Sequence, residues 1–390
     1  MITLDINGMY IDIGKNRGFV DHSVLFQPTD LLEIPYYYAD NYVEEKEGFQ
    51  RSLAEVCQRL DLLGFSEHQL NIYFQDNLEE WLIWESGSKL SFDTFKHLLA
   101  NVDLTILISD QKKKGLSFCE AVSSSIFNSD LAEILPAEEF DHHSLTEFLE
   151  YLNPYLILRL LALNATSQNL IVEWRFSDIV ENGWVERDEI VHELEIKHKI
   201  MIITEGTTDV FVLKRTIEEL YPAISDFFYF IDMEKNYPFK GAGSLANFCM
   251  GLAKLQIQNK ILVIFDNDVA GNESFAKLSA INKPSNIHFM KLPELPEFNN
   301  IPTVGPSGES VQDINGSAVA IESFLDESKL SEDLKKIRWT SYNAKQNKYQ
   351  GELEGKNDIH DNFKAADLKS PTYNTAKLES LVDHILQQLM

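Results

Sequence analysis

Two short acidic runs, Glu205-Gly-Thr-Thr-Asp209 and Asp266-Asn-Asp268, each follow directly on an apolar run, residues 199–204 (KIMIIT) and 260–265 (KILVIF). A continuous apolar run of this length reads as a strand buried on both faces, as in parallel sheets. Further strands are expected at 227–232 and 287–292, with helices at 209–220 and 244–255 and a short one near Ser274. Strand and helix in alternation imply parallel pairing through right-handed crossovers. The carboxyl ends of such strands open into one crevice. Glu205, Asp209, Asp266 and Asp268 are therefore expected to meet there. Clustered carboxylates repel one another in a low dielectric, and a divalent cation holds them ionised together. Oxygen ligands without a nearby Cys or His favour Mg²⁺ or Mn²⁺ over zinc.

The rest of the chain limits the alternatives. At 390 residues and 44% apolar content it can bury more than one core. Three scattered cysteines, Cys57, Cys119 and Cys249, form neither a disulfide framework nor a CxxC metal motif. The N-terminus lacks a basic run followed by an apolar stretch, and no segment reaches the roughly 18 apolar residues of a membrane span. A soluble cytoplasmic protein is expected. The formal charge of −27 opposes any grip on nucleic acid by basic surface alone. Basic residues are local: Lys112-Lys113-Lys114, Lys335-Lys336, and a scatter from Arg338 to Lys356.

Up to Trp184 the texture differs. Residues 1–28 alternate apolar and polar around Asn7-Gly8, a hairpin signal. From about Gly48 the spacing turns helical, with Leu53, Val56, Leu60 and Leu63 recurring before Gly64, and helices are expected at 66–85, 92–106, 128–136 and 144–164. This half reads as mostly α with a short β-hairpin. Residues 293–316 read as a long Pro- and Gly-rich loop, 317–325 as a helix, and 374–388 as an amphipathic helix closing a polar C-terminal region. Two motifs are set aside. GMYIDIGK at 8–15 has the wrong spacing for a phosphate loop and reads as hairpin. Asp141-His142-His143 reads as a helix start, because adjacent histidines diverge on any regular element.

The EGTTD and DND runs, on strand ends about sixty residues apart with Gly271 following, resemble the first motif and the DxD motif of the Toprim domain of topoisomerases, primases and OLD-family nucleases. The plain alternative is two helix-start acids and a turn. QDINGSAVAIESFL at 312–325 resembles the third acidic motif of OLD nucleases, which implies Glu322 as a further metal ligand. Ala320 stands where many relatives carry Ser, which leaves one or two metals open. OLD nucleases use a lysine after that motif, and the resemblance implies Lys356, with Lys345 and Lys348 as alternatives. In the N-terminal half, DIGKNRGFVDHSVLFQ (12–27), IPYYYADNYVEEKEGF (34–49), NPYLILRLLALN (153–164) and DIVENGWVERDEI (178–190) resemble the HEPN/Toprim-associated N-terminal domain. The implied organisation is an N-terminal domain at 1–190, a Rossmann-like α/β Toprim domain at 196–330 and its extension at 331–390.

A nucleophilic tyrosine in an additional domain and a zinc module are the parts of topoisomerase and primase action, and no segment is left for either. The resemblance then implies a Mg²⁺- or Mn²⁺-dependent nuclease acting on DNA or RNA, with Glu205 and Lys356 as catalytic groups and Glu205, Asp209, Asp266, Asp268 and Glu322 as metal ligands. It further implies a role in bacterial antiphage defence, a homodimer and, without an ATP-binding motif here, a separate ATPase or defence-system partner. Two other readings stand beside it. One is a non-catalytic regulator with a structural metal. The other is a metal-independent HEPN ribonuclease using Arg187 and His192; at the matching place after Arg159, Asn164 replaces the histidine.

Overall fold

The computed structural model describes residues 1–390 except 39–41, 82–89, 103, 105–113, 137–138, 232–240 and 256. Lys112, Lys113, Asp232 and the far ends of the helices expected at 66–85 and 92–106 lie outside the described residues. The chain forms two compact units, Met1–Glu193 and Leu194–Leu389. No helix among the described residues is long and apolar enough to cross a membrane. The three cysteines are buried and unpaired.

The first unit runs β1 (Ile2–Ile6), β2 (Met9–Gly14), β3 (Leu31–Tyr37), β4 (Val43–Ser52), α1 (Leu53–Leu62), α2 (Leu70–Trp81), α3 (Phe92–Asn101), α4 (Phe118–Phe127), α5 (His142–Tyr151), α6 (Pro154–Leu161), β5 (Ile171–Arg175), α7 (Ser177–Glu181) and α8 (Arg187–Ile190). Asn7 and Gly8 take positive φ, 48° and 81°, as a tight hairpin turn demands. The expectation of a mostly helical unit with one hairpin is corrected: the hairpin is part of a five-stranded antiparallel sheet ordered β2-β1-β5-β4-β3.

The physical reason lies in β4, whose sequence VEEKEGFQRS shows no apolar stripe. It is held by pairing and by Phe49, whose ring stacks on Phe26 and on Trp174 at 5.3 and 6.0 Å between centroids. Helix α1 starts at Leu53, not near Gly48, because Ser52 and Glu55 form a reciprocal capping box. The helix expected at 144–164 is two helices, with Asn153 capping α6 and Pro154 at its first position. The one expected at 128–136 is a 3₁₀ turn, Asp130–Ile134. Asp141 caps α5, so the Asp-His-His run is a helix start as read.

The second unit runs β6 (Ile200–Ile203), α9 (Thr207–Leu220), β7 (Phe228–Phe230), α10 (Ala242–Leu252), β8 (Ile261–Phe265), the two-residue β9 (Asn267–Asp268), α11 (Val269–Ser279) and β10 (Ile287–Lys291). It continues with β11 (Ile301–Gly305), β12 (Gly308–Gln312), β13 (Ala318–Val319), β14 (Ile337–Asn343), β15 (Lys348–Leu353), α12 (Lys356–Ala365) and α13 (Ala376–Leu389). The alternating region forms the expected parallel sheet, ordered β10-β8-β6-β7. All five residues of β8 are buried, which is why it reads as an unbroken apolar run.

Two expectations fail here. Residues 293–316 are not a loop: they hold a 3₁₀ turn and the β11–β12 hairpin, which joins β14 and β15 in a second sheet. Residues 317–325 are not a helix but β13, paired with β9, followed by the 3₁₀ turn Ile321–Phe324.

Candidate active site

Strands β6 and β8 are parallel neighbours, so their carboxyl ends lie side by side and the residues leaving them are delivered to one place. Glu205 leaves β6 and Asp266 leaves β8, and the Asp266 N–H donates to Glu205 Oε1 at 3.2 Å. Gly206 caps α9, and its N–H donates to Asp209 Oδ2 at 3.0 Å, which ties Asp209 back over the same turn. Asp268 caps α11: the Gly271 N–H donates to its Oδ1 at 2.7 Å, and the Gln350 side chain donates to Oδ2. Gly271 is sterically required, since a Cβ there would lie 2.1 Å from the Asp266 carbonyl oxygen.

The β9–β13 pairing brings in the third segment, with Ala318 opposite Asp268 and Val319 opposite Asn267. The 3₁₀ turn that follows places Glu322, which is buried to 3% exposure rather than sitting on an exposed helix face. Lys356, at the start of α12, forms an ion pair with Glu322 Oε1 at 3.0 Å. His360, one turn later, lies with Nε2 3.9 Å from Glu322 Oε2. Neither of those two atoms has a hydrogen-bond partner.

Electrostatics follow from this crowding. Burial, then the charge of Asp268, pushes Glu205 up to about 7. Burial, then Glu322, pushes Asp209 up to about 6. Asp266 is raised well above the carboxylate range by burial and by Asp209, Glu205, Asp268 and Glu322 together. Burial works against the charge on Lys356, but Glu322, Asp266 and Asp209 outweigh it and hold the ammonium above the usual lysine range. Burial lowers His360 against the pull of Glu322. The donor set is all carboxylate oxygen, and Glu322 Oε2 is buried without a hydrogen-bond donor, so the chemistry suits a hard divalent cation. As the side chains stand, no three His, Cys, Asp or Glu among the described residues form a ready-made metal group.

Of the alternative lysines, Lys348 points its Nζ toward the Gly316 carbonyl at 3.5 Å, and Lys345 sits in the turn between β14 and β15. Lys335, Lys336 and Arg338 are engaged by Glu332, by Glu309 with Asp333, and by Glu354. In the first unit, Arg187 forms a two-pronged contact with Glu47 at 2.7 and 2.9 Å, while His192 is exposed. Arg159 is held by Asp61 at 2.9 Å, and Asn164 caps a 3₁₀ turn.

Sequence reasoning missed Gln350 and His360. Gln350 accepts from the Val269 N–H at 3.0 Å while donating to Asp268, and nothing in its surroundings announces that role. His360 had a signal: four residues after Lys356 it shares one helix face with it.

A family model described as HEPN/Toprim N-terminal domain 1 matches residues 1–198 of the 390. No curated protein and no solved structure matches the chain. The match spans half of the chain, as its N-terminal motifs led us to expect, and the chain belongs to the HEPN/Toprim N-terminal domain 1 family.

Proposed function

We propose that this protein is a Toprim nuclease of the OLD type, hydrolysing phosphodiester bonds of DNA or RNA with Mg²⁺ or Mn²⁺. The observation that carries the reading is the meeting of acids from three separated segments with a lysine: Asp266 bonds Glu205, Asp268 stands on the neighbouring turn, and Lys356 pairs with Glu322. Glu205, Asp209, Asp266, Asp268 and Glu322 would hold the ion. Bound there, it would activate a water and neutralise phosphate charge. Glu205, with its proton affinity near neutrality, is suited to exchange a proton with the attacking water or the leaving oxygen. The Lys356 ammonium, already drawn in by three carboxylates, would face the negative charge that grows on the phosphate. A defence role and a homodimer belong to the same proposal and rest on the HEPN/Toprim and Toprim-nuclease resemblances; a separate ATPase partner rests on the lack of an ATP-binding motif in this sequence.

The test is cleavage of plasmid DNA and total RNA with Mg²⁺ or Mn²⁺, comparing the wild type with Asp266→Ala and Glu205→Ala. Both variants are expected to lose cleavage by at least about 100-fold. Equal cleavage by all three proteins rejects the assignment. A gain in thermal stability with Mg²⁺ and no cleavage of any polymer favours the regulator with a structural ion. Cleavage that survives chelation and vanishes in His192→Ala favours the HEPN ribonuclease, for which Arg187 would first have to leave Glu47.

A further inference from the structure

Beside the acids lies a groove of about 400 Å³ between the first turn of α9 and the outer face of α12. That volume falls in the range of single small-ligand sites. From α9 it receives Thr207, Thr208 and Phe211, and from α12 Asn357, His360, Asp361 and Lys364, whose spacing of three and four puts them along one helix face. The spacing of the two walls is fixed. Arg215 of α9 donates to the carbonyl oxygens of Phe363, Lys364 and Ala366 at the end of α12 and lies 5.0 Å over the Phe363 ring. Phe363 in turn meets Phe211 edge to face at 5.9 Å. Phe211 nevertheless remains 41% exposed, an aromatic ring held in place from below and open to the groove.

The groove is continuous with the acidic cluster through His360, which is 8% exposed and keeps an unpartnered Nε2 3.9 Å from Glu322. It is also continuous through the α9 turn, where Thr207 and Thr208 immediately precede Asp209. Its polar groups match a nucleotide. The first-turn N–H groups of α9 have no partner within the helix and carry the positive end of its dipole, which suits a phosphate. Lys364 adds a cation at the opposite wall; its present partner is Asp361, 3.2 Å away in the same wall, which a phosphate would displace. The Asn357 amide can both donate to and accept from a base edge.

We propose that this groove holds one unpaired nucleotide next to the bond to be cut, its base against Phe211 and its phosphate between Thr207, Thr208 and Lys364. The inference rests on the phosphodiesterase reading and adds to it a substrate class, a single-stranded or locally opened segment. In a duplex both faces of a base are already stacked, so only an unpaired base can use the Phe211 ring. Such stacking also supplies affinity that does not depend on basic surface, which this acidic chain lacks.

The experiment is fluorescence anisotropy of the full chain, without divalent ions, with labelled single-stranded DNA, single-stranded RNA and a blunt DNA duplex of equal length. Single strands are expected to bind more tightly than the duplex. Phe211→Ala should weaken single-strand binding about ten-fold with duplex binding unchanged, and Phe211→Tyr should retain it. Lys364→Gln should flatten the salt dependence. The DNA and RNA arms show which polymer supplies the nucleotide. Thermal unfolding of each variant controls for the Phe363 contact. Single-strand binding unaltered in a stably folded Phe211→Ala overturns the groove assignment, even where Asp266→Ala abolishes cleavage. Undiminished cleavage by Asp266→Ala rejects the acidic cluster as the cleaving site instead, whatever the anisotropy shows.

Discussion

Gly271 shows how one residue sets the geometry of the acids. The DND turn passes so close under the start of α11 that any side chain at 271 meets the Asp266 carbonyl. Gly271→Ala is expected to displace Asp266, reduce cleavage to the level of Asp266→Ala and cost about 1–3 kcal/mol of stability, with near-native circular dichroism. Wild-type cleavage by this variant would show that the turn tolerates the shift. The carboxylates make a second residue-scale prediction. Glu205 and Asp209 have folded-state proton affinities raised above the unfolded values, to about 7 and about 6. Their contribution to stability is complete below the unfolded carboxylate range and is lost as pH rises through 6 to 7. The melting temperature of the metal-free protein should fall from pH 5 to pH 8. Glu205→Gln should fall less, and Mg²⁺ should offset the loss most at the upper end, where the acids are ionised. A melting temperature flat across this window in metal-free protein contradicts the crowding.

At the scale of elements, the five-stranded sheet depends on pairing between distant segments. Within it, Arg175 of β5 lies 2.6 Å from Asp5 of β1 and 2.7 Å from its own-strand neighbour Glu173, and donates to the Pro35 carbonyl of β3. Burial pushes Asp5 up to about 6 against the pull of Arg175. Removing Asp5 leaves the buried Arg175 guanidinium with Glu173 and the Pro35 carbonyl but no partner for its third nitrogen, so Asp5→Ala should destabilise by up to about 3 kcal/mol. The midpoint of urea unfolding measures this, and an unchanged midpoint would mean that Glu173 suffices for Arg175. The β9–β13 pair is the corresponding device in the second unit. Two residues on each side join the DND turn to the segment that carries Glu322, a connection too short for any sequence period to reveal.

Across the whole molecule, the acids, Lys356 and the groove all belong to Leu194–Leu389, while the family match falls on residues 1–198. Mg²⁺ should therefore move one transition in calorimetry, that of the second unit, and leave the other in place; two transitions both indifferent to Mg²⁺ count against an ion in this site. The parallel sheet and the positions of Glu205 and Asp266 just beyond its strand ends, with Asp209 and Asp268 at the helix starts that follow, were legible because β6 and β8 are largely buried on both faces, and burial writes itself into sequence as an apolar run. The hairpin at Asn7-Gly8 was legible because positive φ restricts residue choice. Strands β4 and β12 were not. The first is charged at half of its residues and the second is exposed at every residue, so only hydrogen bonds to other strands define them. The burial of Glu322, the role of Gln350 and the groove beside Phe211 likewise came from chain segments meeting in space. Local sequence fixes what depends on a residue and its near neighbours, such as turn conformation, helix caps and apolar period. Pairing partners, desolvation and the distance between charges depend on contacts across tens of residues, and these the tertiary structure alone decided.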